Sequence, residues 1–125
     1  MKVLKKDTPK LPLPFKRKWV KELRSGKYKQ IGGMLNYSDE DGKFGYCCLG
    51  VAGRCLGFGD RKLEDGFCLT DLTKVPASIT KVMKAETNVL TQDGDIRSVE
   101  SFLAHCNDDK AWSFKKIANW IEKNL

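Results

Sequence analysis

The chain has 125 residues with 23 lysines and arginines against 16 acids, a formal net charge of +7. That length suits one domain with a modest core of its own. No apolar run approaches the roughly 20 residues of a membrane span, and no apolar stretch follows the N-terminal lysines as a secretory leader requires. A cytoplasmic protein is therefore expected. Its five cysteines, an odd number, are expected as reduced thiols and not as a disulfide framework.

The charge is concentrated at one end. Residues 1 to 29 hold 11 basic residues against Asp7 and Glu22, or +9, and the remainder carries −2. An anionic partner for that end, a nucleic acid or an acidic protein, is one expectation; simple solubility is the other. Residues 1–14 carry Lys2, Lys5, Lys6 and Lys10 together with Pro9, Pro12 and Pro14. That proline density favours extended backbone, so residues 1–14 read as a basic arm and residues 15–125 as one globular domain.

From Phe15, the residues Phe15, Trp19, Val20 and Leu23 share one helical face, and Lys16, Arg17, Lys18, Lys21 and Arg24 occupy the rest. Pro14 suits the start of this helix and Gly26 its C-terminal cap. The five cations are the binding residues the sequence offers. Asp41-Gly42 between two mixed apolar segments signals a hairpin of short antiparallel strands. The neighbouring Asp39-Glu40-Asp41 cluster lacks the closing glutamate of a calcium loop, because position 50 is Gly50.

The hairpin feeds Tyr46-Cys47-Cys48-Leu49-Gly50-Val51-Ala52-Gly53-Arg54-Cys55-Leu56, the most apolar run of the chain. It reads as a central buried helix with Cys48, Val51, Ala52, Cys55 and Leu56 on one face. Gly50 and Gly53 each cost such a helix on the order of 1 kcal/mol relative to alanine, so another backbone is expected to approach closely there. Beyond it, Arg61 to Gly66 reads as a polar loop and Phe67 to Thr70 as a short strand. Pro76 opens a helix with Ile79, Val82 and Met83 inward, and Asn88 to Ile96 suggests a second tight turn between strands. Ser98 and Ser113 are placed to cap two C-terminal helices. The first turns Val99, Phe102, Leu103 and Cys106 inward; the second turns Phe114, Ile117, Ala118, Ile121 and Leu125 inward. The fold class is α+β, mostly helical, with four or five helices and a small antiparallel sheet of short hairpins.

Chemistry could centre on the thiols. Cys47 or Cys48 at the N-terminus of the central helix would feel a dipole that favours the thiolate. A thiol hydrolase or transferase also needs a base, and the one histidine is His105, with Asn107 or Asp108 available to orient it. The competing reading makes both cysteines small core residues. No Cys-x-x-Cys knuckle and no complete phosphate loop is present, so no metal and no cofactor is expected.

Three segments carry a resemblance: Trp19 with Leu23-Arg24-Ser25-Gly26-Lys27-Tyr28-Lys29-Gln30; Tyr46-Cys47-Cys48-Leu49-Gly50-Val51; and Asn107-Asp108 followed by Ser113-Phe114-Lys115-Lys116-Ile117-Ala118-Asn119-Trp120-Ile121. In this order the chain resembles a group of small uncharacterised proteins of phages and prophages. That pattern has no histidine at the place of His105, and Ala52-Gly53-Arg54 departs from its more apolar continuation. The resemblance implies a phage accessory protein acting in the bacterial host cytoplasm. The expected function is non-enzymatic binding of a host protein or nucleic acid through the basic N-terminal region, with a cysteine-dependent enzyme as the alternative.

Overall fold

A computed structural model describes residues 2–3, 9–64, 75–85, 89–90 and 96–125. The fold is α+β and mostly helical, as its periodicities predict. In chain order the elements are β1 (Lys2–Val3), α1 (Leu13–Arg24), β2 (Lys29–Gln30), β3 (Asn36–Ser38), β4 (Phe44–Tyr46), α2 (Cys48–Cys55), α3 (Asp60–Glu64), α4 (Ala77–Met83), β5 (Val89–Leu90), β6 (Ile96–Arg97), α5 (Val99–Asp108) and α6 (Phe114–Asn124). The strands form two small sheets, ordered β1-β5-β6 and β2-β4-β3. Among the described residues no helix is long and apolar enough to cross a membrane.

Helix α1 starts at Leu13, so the expected boundary between residues 14 and 15 falls inside its first turn. Pro12 and Pro14 are compatible with a helix start because the first-turn N–H groups have no intrahelical partner. Phe15, Trp19, Val20 and Leu23 are buried as their spacing predicts, and Gly26 follows the helix with a φ of +75°. The residues just ahead of α1 are held in place. Leu11 is buried, its N–H donates to the Leu125 carbonyl at 3.1 Å, and Lys10 Nζ donates to the Asn124 carbonyl at 2.9 Å.

The Asp41-Gly42 hairpin forms between β3 and β4, with Gly42 at a φ of +78°. Asp39 Oδ1 accepts the N–H groups of Asp41 and Lys43, each at 2.9 Å, so this acid closes the turn. The sheet is mixed and not purely antiparallel, because β2 joins β4 in parallel. That pairing was hidden in the sequence: β2 is two residues long, and its partners in β4 are 16 residues away in the chain.

Helix α2 leaves β4 through Cys47 and is buried on every side over Cys48 to Gly53, a deeper burial than the one face its periodicity suggested. The close backbone approach expected at both glycines is present at Gly50, whereas at Gly53 the neighbour is a side chain. A Cβ on Gly50 would overlap the Leu35 carbonyl, and one on Gly53 would meet Leu63 Cδ2 at 2.7 Å. Leu63 belongs to α3, which replaces the loop expected from Arg61 onward and brings the described helices to six. Only Leu63 is apolar in the stretch Asp60–Glu64, so composition disguised a single turn that exists to bury that side chain. The strand expected at 67–70 lies outside the described residues. Ser98 and Ser113 cap α5 and α6 through their side-chain oxygens, and both inward faces are buried as read from the sequence. Val89–Leu90 and Ile96–Arg97 pair as β5 and β6, with the arm's Lys2–Val3 added alongside β5; the second expected turn, at 91–95, lies outside the described residues.

Gly50→Ala is expected to destabilise by about 3 kcal/mol or more, because backbone must move, and Gly53→Ala by about 1–2 kcal/mol, because the Leu63 end can yield. Val51→Asp, at a fully buried position, should unfold the domain, since an unpaired buried carboxylate costs several kcal/mol. Urea midpoints of the three variants check this ranking.

Candidate functional site

The sequence nominates two places, the thiols and the basic face of α1. The buried thiols Cys47 and Cys48 adjoin a part-buried polar node. Cys47 is the N-cap of α2, as its position after a strand suggested, but its sulfur serves as the cap: Gly50 N–H donates to Cys47 Sγ at 3.4 Å. Cys48 Sγ donates to the Leu103 carbonyl at 3.5 Å. The Cys48 N–H donates to Asn107 Oδ1 at 3.2 Å. Asn107 Nδ2 in turn donates to the Ile31 carbonyl at 2.7 Å and to Asp108 Oδ1 at 2.9 Å.

Gln30 completes the node. Its Nε2 donates to Asn107 Oδ1 at 2.9 Å and to the Trp112 carbonyl at 2.7 Å, and its Oε1 accepts from Phe114 N–H at 3.2 Å. Ala111, just before Trp112, takes a φ of +53°, a left-handed conformation that costs a residue with a Cβ about 1 kcal/mol. The node thus joins Gln30, Cys47-Cys48, and Asn107 with Phe114, three parts of the chain that are distant in sequence. From the sequence Asn107 was offered only as a residue that could orient His105, and Gln30 was not named as a site residue.

His105 stands apart from this node. Its Nδ1 lies 2.8 Å from Asp109 Oδ2, so neither Asn107 nor Asp108 orients it, and no hydrogen bond joins it to Cys47 or Cys48 among the described residues. The thiols are also electrostatically unlike nucleophiles. Burial pushes the Cys47 thiol up and the Cys48 thiol well up, against the smaller opposing effect of hydrogen bonds from backbone N–H groups. Burial likewise carries Cys55 to about 11 and Cys106 to about 12. Cys68 lies outside the described residues. Among the described residues no group of three or more histidines, cysteines or acids could hold a metal ion.

The basic face of α1 is different in kind. Where α1 lies beside α6, a groove of about 630 Å³ opens, lined by Leu13, Lys16, Arg17, Val20, Lys21, Arg24, Ser25 and Glu122. Four of the five nominated cations come together there; Lys18 is outside the lining. Val20, 7% exposed, and Leu13, 52% exposed, supply apolar surface. Arg24 is engaged by an ion pair with Glu122 and by a hydrogen bond to Asn119 Oδ1 at 2.8 Å. Its guanidinium holds the Glu122 carboxyl below the usual value. Lys16, Arg17 and Lys21 make no ion pair among the described residues. The groove was half legible: α1 periodicity supplied the cations, while Glu122 and the placement of α6 needed the tertiary structure.

Two outcomes follow for the thiols. In the native protein Cys47, Cys48 and Cys106 should resist iodoacetamide at neutral pH and label only in denaturant, read site by site by peptide mass spectrometry. A thiol pKa raised by folding contributes stability that is complete below the unfolded value of 9.0 and is lost as pH rises toward the folded values of about 11 and 12. The melting temperature should therefore fall from about pH 9 upward, and Cys106→Ala should show a shallower fall.

The chain matches no family model, no curated protein and no solved structure.

Proposed function

We propose that this chain is a non-enzymatic binding protein whose α1 face contacts an anionic partner, and that it serves as a phage accessory protein in the host cytoplasm, as the resemblance of its three segments implies. The observation that carries the binding reading is the groove between α1 and α6. Three cations, Lys16, Arg17 and Lys21, gather on one side of it without an ion pair among the described residues. Clustered like charges in a concave site raise the local potential and attract an opposite charge. Both ways of meeting the thiols' needs point elsewhere than catalysis: their sulfurs are used as hydrogen-bonding groups of the fold.

The test separates site from net charge. Lys21→Glu and Lys18→Glu change the charge equally, and only Lys21 lines the groove. Both are exposed, so each should alter stability by less than about 0.5 kcal/mol. Binding to fluorescent polyglutamate and to oligo(dT), followed by anisotropy, should fall with rising salt. Lys21→Glu should weaken the binding by about three- to tenfold more than Lys18→Glu. Equal effects of the two variants would reduce the basic end to a solubilising surface.

A further inference from the structure

Resting on that reading, we infer that the groove between α1 and α6 takes an acidic amphipathic helix of a partner protein. The groove combines two recognition elements. Leu13 and Val20 are apolar, and Lys16, Arg17 and Lys21 stand around them. Leu13 is half exposed, in the first turn of a helix whose other large apolar side chains are buried. A ligand that is only anionic would use the cations and gain nothing from this floor. Among the described residues the lining contains no aromatic ring on which nucleic-acid bases could stack, which is how single strands gain affinity beyond charge.

The dimensions suit a helix. The α1 residues in the lining recur at 13, 16, 17, 20, 21 and 24, a continuous stripe three to four residues apart. It extends about 17 Å, or three helical turns, at 1.5 Å per residue. A partner helix laid along such a stripe places apolar anchors at i, i+3 or i+4, and i+7 against the floor. Acids flanking those anchors meet the cations on the rim. Arg24 is already satisfied by Glu122 and Asn119, so it marks one end of the charged stretch and leaves three cations for the partner.

The probe is a synthetic peptide of about 14 residues, four helical turns, with leucines on one face and glutamates beside them. Its controls are a scrambled peptide of equal composition and one with glutamine for glutamate. The amphipathic acidic peptide should bind at least about tenfold more tightly than either control. Leu13→Ser, a change at a half-exposed position, should weaken binding of the amphipathic acidic peptide by about fivefold or more and so narrow its advantage over the scrambled control. Equal binding of the scrambled peptide, no effect of Leu13→Ser, or preference for oligo(dT) would overturn the acidic-helix assignment and leave an anion-binding face. The proposed function itself fails by another result, equal effects of Lys21→Glu and Lys18→Glu on every probe.

Discussion

The fold depends on seating the first turn of α2 against the backbone that runs from β2 to β3. A helix start leaves N–H groups without intrahelical partners, and water normally satisfies those not capped. Here the start is buried, and protein groups supply partners to three of its N–H groups. The Leu35 carbonyl accepts from Cys47 N–H, Asn107 Oδ1 from Cys48 N–H, and Cys47 Sγ from Gly50 N–H. The absence of a side chain at Gly50 lets the Leu35 backbone come near enough for this arrangement. Asn107 and Gln30 then tie the same turn to the α5–α6 connection, so elements far apart in sequence share one set of hydrogen bonds.

That seating decides what the thiols can be. A cysteine at a helix N-terminus is the position from which a thiolate is usually made, because the dipole and the free N–H groups stabilise negative charge. The same turn is buried here, and burial disfavours the charged form more strongly than the N–H groups favour it. The N–H groups nearest the sulfur are also needed for the fold. Position on a helix and degree of burial act in opposite directions on one atom, and the second wins.

Sequence periodicity disclosed the elements whose burial is one-sided. The faces of α1, α5 and α6 were readable because polar residues alternate with apolar ones at helical spacing, and Ser98 and Ser113 marked two starts. The Asp41-Gly42 turn was readable because its positive φ demands glycine. Periodicity failed where burial has no pattern. Helix α2 is enclosed all round from Cys48 to Gly53, so a one-face reading understated that part of it. Helix α3 is a single polar turn holding one leucine, and β2 is too short to show alternation. The candidate site divides in the same way: its cations lie on one helix and are visible as a stripe, whereas its concavity comes from α6, whose position no local signal encodes.

The arrangement of α1 also bears on whether its charge is merely solubilising. Trp19 Nε1 donates to the Cys48 carbonyl at 3.0 Å in the core, which fixes the rotation of α1 about its axis. The outward stripe is therefore set, and its composition carries a cost. Arg17 and Lys21 are like charges at i,i+4, and Lys18–Lys21 and Lys21–Arg24 are like charges at i,i+3. An i,i+4 like-charge pair destabilises a helix by roughly 0.2–0.5 kcal/mol. Interspersed acids would keep the helix soluble without that cost, yet within α1 Glu22 is the only acid, and among the described residues the one ion pair to an α1 cation comes from Glu122 on α6. A face that keeps its repulsion, beside an apolar floor that stays partly open, is better suited to meeting a complementary surface than to facing water alone.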